Sequence, residues 1–158
     1  MAHNLLSWYF IGMWFHLLQR GLPPPRTADC RWYQGEIRCM ASILIWGDEH
    51  DACLLARRVL EKLGHEVTLF TNPDDALLWS VRQKPELVVL DSKKGSECLQ
   101  LFRKLHRSLP APKVMIMTSV ALSPADISDA HRLGAEICLN RPMEIGDFEK
   151  KVTQLLTA

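Results

Sequence analysis

The run Pro85-Glu86-Leu87-Val88-Val89-Leu90-Asp91 decides the fold of this 158-residue chain. Four apolar residues, two of them β-branched, lie between a Pro-Glu pair and a single carboxylate, which is typical of a short strand buried on both faces. Such strands form parallel sheets, and ligands of open α/β sheets bind outside the carboxyl ends of the strands. Asp91 is therefore a candidate for chemistry, although an aspartate here can also cap the following helix.

Strand-like and helix-like segments alternate from Ala41 onward. Apolar runs predict further strands at 42–46, 66–70, 113–118 and 135–139, and a last helix at about 144–156. The intervening helices begin after Asn72-Pro73 and Ser123-Pro124, or end at Gly64 and Gly134. Five β–α units predict an α/β fold, a flavodoxin-like doubly wound five-stranded parallel sheet in the order 2-1-3-4-5 with helices on both faces.

Two acidic residues should meet at one edge of this sheet. In the predicted order, the ends of the first and third strands are adjacent at the switch point. Asp48 follows the first strand, and Asp91 ends the third. Carboxylates that converge from distant parts of a chain can hold a hard cation that prefers oxygen, such as Mg²⁺.

The composition excludes several classes of function. A formal net charge of +1 gives no electrostatic argument for a nucleic-acid partner, because such domains carry a basic excess on one face. The five cysteines form no CxxC pair and no zinc-like spacing with the histidines, so buried free thiols in a reducing cytoplasm are expected. No G-x-G-x-x-G follows a predicted strand, so no dinucleotide or flavin cofactor is expected.

Residues 1–40 differ from the rest of the chain. An uncharged, aromatic-rich run at 5–18 precedes three prolines, and it is shorter than the roughly 20 residues of a membrane-spanning helix. It is a membrane-associated segment, an export signal that lacks the usual basic start and cleavage site, or translated upstream sequence ahead of a start at Met40. A membrane contact is expected only if residues 1–22 are genuine. We expect a disordered linker at 23–40 and a globular domain at 41–158.

Four motifs occur in order at the ends of the predicted strands. They are Ile43-Leu44-Ile45-Trp46-Gly47-Asp48-Glu49, Leu87-Val88-Val89-Leu90-Asp91, Met115-Ile116-Met117-Thr118-Ser119 and Gly134-Ala135-Glu136-Ile137-Cys138-Leu139-Asn140-Arg141-Pro142. With all four motifs at this spacing, residues 42–157 resemble the receiver domain of two-component response regulators.

The resemblance implies a role for each of five residues. Asp91 would accept a phosphoryl group from a phosphohistidine. Asp48, Asp91 and the backbone carbonyl of Lys93 would hold Mg²⁺. The Thr118 hydroxyl would donate to a phosphoryl oxygen. Arg141, at the position of the family's lysine and before a proline whose peptide bond is cis in the family, would pair with the phosphoryl group.

Three departures from the family pattern leave two interpretations open. Gly47 replaces the first acid of the loop, so Mg²⁺ binding should weaken. Arg141 replaces a lysine with a planar fork, and Cys138 replaces the usual aromatic or histidine. The chain is therefore either a phosphorylatable receiver or a degenerate receiver that binds proteins without phosphorylation.

The resemblance also implies partners. We expect a stand-alone cytoplasmic signalling protein that is not an enzyme. It would receive phosphate from a sensor histidine kinase or a phosphotransfer protein. It would then contact a downstream protein or a second copy of itself through the helix at 124–133 and the last helix.

Overall fold

A computed structural model of the chain describes residues 30–33, 36–109, 112–141 and 143–158. The chain divides into two compact units, one that ends at Cys39 and one that runs from Met40 to Ala158. In the first unit, strand β1 (Cys30–Tyr33) pairs antiparallel with strand β2 (Glu36–Cys39).

The β1–β2 hairpin corrects one prediction. The disordered linker predicted at 23–40 is wrong for these two strands, because each contains aromatic or β-branched residues that favour extended pairing. Trp32 lies opposite Ile37 in the register. Only two residues, the second of them Gly35, separate the strands, which is the spacing of a tight hairpin. The apolar run at 5–18 and the prolines that follow it lie outside the described residues.

The second unit contains five strands and five helices among its described residues. The strands are β3 (Ser42–Gly47), β4 (Glu66–Phe70), β5 (Leu87–Ser92), β6 (Lys113–Thr118) and β7 (Ile137–Asn140). The helices are α1 (His50–Lys62), α2 (Pro73–Gln83), α3 (Gly95–Ser108), α4 (Pro124–Arg132) and α5 (Ile145–Thr157). In the part of the chain that the structure describes, no helix is long and apolar enough to cross a membrane.

The five strands form one parallel sheet with the order β4-β3-β5-β6-β7. The flavodoxin-like α/β class predicted from the sequence is confirmed. Strand β5, the organising strand of the sequence analysis, lies at the centre of the sheet, and all six of its residues are buried. Its carboxyl end therefore opens at the middle of one sheet edge.

Successive residues of the strands pack into two separate cores, because side chains alternate between the faces of a sheet. One face, with Leu44, Val88 and Ile116, packs against α2, α3 and α4. The other face, with Ile45, Val89 and Met115, packs against α1 and α5. Burying each such aliphatic side chain contributes about 1.5–3 kcal/mol. The result is a three-layer sandwich with helices on both faces of the sheet.

The helix ends follow the chemistry expected from the sequence. The side chain of Asn72 accepts a hydrogen bond from the backbone of Asp74, and Ser123 caps α4 in the same way. Gly64 and Gly134 have φ angles of +91° and +94° just after α1 and α4, a conformation that side chains disfavour. Asn72 and Ser123 therefore end the loops at the carboxyl edge of the sheet, and the two glycines begin the turns at its opposite edge.

Candidate functional site

The candidate site lies at the carboxyl edge of the sheet, around the end of β5. Gly47 of β3 lies beside Asp91 in the register, and Thr118 of β6 lies beside Ser92. Asp91 is only 1% exposed. Because side chains alternate along the strand, Asp91 faces the α1 and α5 layer and Ser92 faces the opposite layer.

The two oxygens of the Asp91 carboxylate have different surroundings. Oδ2 forms an ion pair with a guanidinium nitrogen of Arg141 and lies 3.7 Å from the Sγ atom of Cys53, which can donate to it. Among the described side chains, Oδ1 is the only buried nitrogen or oxygen atom without a hydrogen-bond partner. A buried acceptor left in this state costs about 1–3 kcal/mol, so this oxygen is a site of local instability.

Arg141 follows β7 and reaches two carboxylates at once. Its backbone N–H donates to the Thr118 carbonyl at 2.8 Å, which fixes the start of its side chain beside β6. One guanidinium nitrogen contacts Asp91 and the other lies 2.7 Å from the Glu49 carboxylate. Lys93 also pairs with Glu49, at 3.4 Å. The guanidinium fork suits this bridging geometry, whereas an ammonium group has a single charged nitrogen.

Cys53, in the first turns of α1, fills the space beside Gly47. A Cβ atom at position 47 would overlap the Cys53 sulfur and approach the Asp91 carbonyl oxygen at 2.6 Å. Burial raises the pKa of the Cys53 thiol to about 11, and the nearby Arg141 charge only partly offsets this. The group that contacts Oδ2 of Asp91 from α1 is therefore a neutral thiol.

A second group of contacts surrounds Asp48. Its carboxylate accepts the backbone N–H of Lys93 at 3.2 Å and lies 3.3 Å from the Ser92 hydroxyl. The Ser92 hydroxyl also lies 3.0 Å from Glu97 and accepts the backbone N–H of Lys94 at 3.1 Å. These contacts fold the loop after β5 back over the sheet edge.

Thr118 connects two loops rather than contacting Asp91. Its hydroxyl lies 2.9 Å from the Val120 carbonyl and 3.4 Å from the Lys93 carbonyl, and it accepts the Val120 N–H at 3.2 Å. The side chain is fully buried. The loop after β6 is thereby tied to the loop after β5.

The structure brings the five predicted site residues together at one edge, but through a chain of contacts. Asp91 contacts Arg141, Asp48 contacts the Lys93 backbone, and Thr118 contacts the Lys93 carbonyl. The roles predicted for them remain predictions. The sequence analysis gave no role to four other residues of this site, Glu49, Cys53, Ser92 and Glu97. Of these four, only Glu49 could have been expected from the sequence. The guanidinium of Arg141 has two donor arms, so a second carboxylate near Asp91 was to be expected, and Glu49 follows Asp48 directly.

The described arrangement does not fit a bound Mg²⁺. This ion needs several oxygen ligands in near-octahedral geometry. Here Arg141 covers one oxygen of Asp91, the Asp48 carboxylate is taken by N–H and O–H donors, and the Lys93 carbonyl faces the Thr118 hydroxyl. Residues 40–109, 112–141 and 143–158 contain no group of three or more His, Cys, Asp or Glu side chains that could hold a metal ion.

Two predictions at this edge fall outside the described part of the structure. They are the side chain of Cys138, expected to replace a switching aromatic, and the peptide bond before Pro142, expected to be cis.

Comparisons with known proteins agree on one family. A family model described as the response regulator receiver domain matches residues 43–153. A response regulator from Thermotoga maritima is 22% identical with a TM-score of 0.68, and the alignment covers 75% of this chain and 99% of that one. A CheY-like receiver domain protein from Methanospirillum hungatei is 23% identical with a TM-score of 0.66, over 75% and 94% of the two chains.

A third solved structure is that of a longer protein. NtrX from Brucella abortus is 24% identical with a TM-score of 0.66, over 75% of this chain but only 26% of the NtrX chain. No curated protein matches this sequence. At these identities the solved structures establish the fold alone. The family assignment rests on the receiver-domain match, which spans most of the 158 residues, and the chain therefore belongs to the response regulator receiver domain family.

Proposed function

We propose that this chain is a signalling module that accepts a phosphoryl group on Asp91 and passes the signal on through protein contacts. The observation that carries the proposal is the asymmetry of the Asp91 carboxylate. Oδ2 is covered by Arg141 and Cys53, whereas Oδ1 is buried and has no donor. An oxygen without a donor keeps its lone pairs available, which suits a nucleophile.

In the proposed reaction, Oδ1 of Asp91 attacks the phosphorus atom of a donor phosphohistidine. The O–P bond forms as the P–N bond breaks, and the electron pair remains on the ring nitrogen, which takes up a proton. The product is an acyl phosphate. Arg141 would pair with the phosphoryl oxygens through charge-assisted hydrogen bonds, and its contact with the Asp91 carboxylate supports this role.

The proposed donor is a sensor histidine kinase or a phosphotransfer protein, and the setting is the cytoplasm. The signal would leave through α4 and α5 to a downstream protein or a second copy of the chain. Thr118 supports this route, because its hydroxyl joins the loop after β5 to Val120, a 62% exposed residue just before α4. The chain would act as a switch and would not turn over a substrate as an enzyme does.

One observation favours a second candidate, a degenerate receiver that binds proteins without phosphorylation. The Asp91 side chain is only 2% exposed, and Arg141 and Cys53 both lie against its Oδ2 atom. A donor reaches the carboxylate only after these side chains shift. If the shift is too costly, the same surfaces act in one fixed state.

The deciding experiment is modification of the full chain by acetyl phosphate, followed by intact mass, with and without Mg²⁺. Asp91→Asn should abolish uptake. The matched control is Asp129→Asn, which removes a carboxylate that pairs with Arg103 and Arg132 on the surface. It should keep full uptake. Uptake that survives Asp91→Asn would contradict the proposal, and absence of uptake in the folded wild-type chain would favour the degenerate receiver.

A further inference from the structure

The Arg141 guanidinium lies in an acidic pocket formed by the carboxylates of Asp48, Glu49 and Asp91. It is 16% exposed and contacts Asp91, which is buried, and Glu49, which is 30% exposed. The two carboxylates come from β5 and from the residue before α1, so the contact joins two separate elements. A partly buried guanidinium that bridges two carboxylates is held more firmly than a surface ion pair, because solvent screens it less and each contact is charge-assisted.

The charges around Asp91 are already largely compensated. Asp48, Glu49 and Asp91 carry three negative charges, and Arg141 and Lys93 bring two positive charges into contact with them. A divalent cation that enters this pocket must displace a side chain already paired there.

The space next to Gly47 is filled and leaves no room for an additional ligand. The Cys53 sulfur occupies the space into which a side chain at position 47 would extend. A thiol is also a poor ligand for a hard cation, which prefers oxygen. Gly47 and Cys53 therefore fit together and fill this side of the pocket without a carboxylate.

We propose that Arg141, positioned by Glu49, is the resident counter-ion of this pocket and excludes divalent cations from Asp91 while the bridge is closed. The proposal rests on the function proposed above, because it states how that same carboxylate is neutralised. Glu49 is the positioning residue. It turns the second arm of the guanidinium away from Oδ1, which leaves that oxygen free.

The first test is a Mg²⁺ titration of the full chain without any phosphodonor, followed by amide NMR shifts of Asp48, Asp91 and Lys93. Arg141→Met should tighten Mg²⁺ binding by about tenfold or more, because a unit charge in contact with the ligand is removed. The matched control, Lys93→Met, removes the same charge from a side chain that is 64% exposed and contacts Glu49. It should change the affinity by less than about threefold, because solvent screens an exposed charge.

Arg141→Lys keeps the positive charge but has no second donor arm. It serves as the test variant if Arg141→Met does not fold. We expect it to bind Mg²⁺ more tightly than the wild type does and less tightly than Arg141→Met. Equal affinities for the wild type and Arg141→Lys would overturn the bridging role. Equal tightening in Arg141→Met and Lys93→Met would reduce the effect to net charge and overturn the proposal.

The second test concerns Glu49 directly. The Arg141 guanidinium should give resolved, slowly rotating ¹⁵N–¹H signals in the wild type, because both arms are held. Glu49→Gln should restore fast rotation, whereas Glu97→Gln should not, since Glu97 contacts Ser92. Unchanged signals in Glu49→Gln would overturn the positioning role. Both tests omit phosphate, so a chain that takes up no phosphoryl group still gives a clear answer.

Discussion

Leu122 lies directly on Gly95, and no Cβ atom at position 95 would fit without overlapping the end of the leucine side chain. Gly95 begins α3, just after the loop that carries Lys93, and Leu122 belongs to the loop between β6 and α4. Leu122 is 8% exposed and belongs to the core on the α2, α3 and α4 face. The two loops at the candidate site are therefore joined by packing as well as by the Thr118 hydroxyl.

The contact between Gly95 and Leu122 predicts that a side chain at position 95 lowers stability modestly and that shortening Leu122 removes this loss. Gly95→Ala should lower the free energy of unfolding by about 1 kcal/mol, because only the flexible end of Leu122 must move. In a Leu122→Ala background the same substitution should cost nothing measurable, which a double-mutant cycle in urea would detect. The control is Gly146→Ala on α5, where a Cβ meets nothing within 4 Å. Additive losses would show that the two residues are not coupled.

A substitution at Gly47 should be more costly than one at Gly95, because one of the atoms that a new Cβ would meet belongs to the backbone. Gly47→Ala should cost about 1–3 kcal/mol, since the new Cβ meets both Cys53 and the Asp91 carbonyl oxygen at 2.6 Å. Removing the thiol in Gly47→Ala/Cys53→Ala should recover only part of this loss, because the carbonyl cannot move away. Full recovery in urea unfolding would mean that the thiol alone determines the fit.

The hydrogen bonds of the Thr118 hydroxyl predict that Thr118→Val lowers the free energy of unfolding and that Thr118→Ser does not. Thr118→Val keeps the shape but removes the acceptor of the Val120 N–H, which should cost about 0.5–1.5 kcal/mol because this hydrogen bond is only partly buried. It should also broaden the amide signals of the loop at 119–122. Thr118→Ser keeps the hydroxyl and should leave those signals sharp. Equal signals in both variants would show that the hydroxyl does not hold the loop.

The two buried thiols predict a loss of stability at alkaline pH. Burial raises the pKa of Cys53 to about 11 and that of Cys98 to about 12, from an ordinary value of 9.0. As the pH rises above about 9, the unfolded chain therefore loses thiol protons before the folded chain does, and folding becomes less favourable. For Cys53 the loss by about pH 11 is on the order of 2 kcal/mol.

Urea unfolding at several pH values would measure this loss. Cys53→Ala and Cys98→Ala should each be less stable than the wild type at neutral pH but should lose less stability between neutral and alkaline pH. A pH dependence that neither substitution changes would contradict the prediction.

Most of the fold of residues 42–157 could be predicted because local chemistry decides it. The strands at 66–70 and 113–118 have the predicted bounds, and α2 begins at Pro73 after the Asn72 cap and ends at Gln83 as expected. The last strand was predicted at 135–139, but it begins two residues later and ends one residue later, at Ile137–Asn140. The backbone of Ala135 still closes the turn after α4, through a hydrogen bond from its N–H to the Ala130 carbonyl.

The details of the site could not be predicted, because they depend on which side chains meet in space. The sequence between Gly47 and Cys53 does not indicate that the cysteine sulfur fills the space beside the glycine. The Glu49–Arg141 pair spans 92 positions in the sequence. The hairpin at 30–39 was not predicted for another reason, because two strands of four residues are too short to give a clear periodic pattern.

Strand β5 is buried through its last two residues, Asp91 and Ser92, so the candidate phosphoacceptor is also part of the hydrophobic sheet. A substitution in this strand therefore disturbs the packing of the sheet as well as the chemistry of Asp91. The rim residues Glu49 and Lys93 are 30% and 64% exposed and do not belong to the packed core. Substitutions at the rim can therefore change the charges around Asp91 while the packing of the strand stays the same.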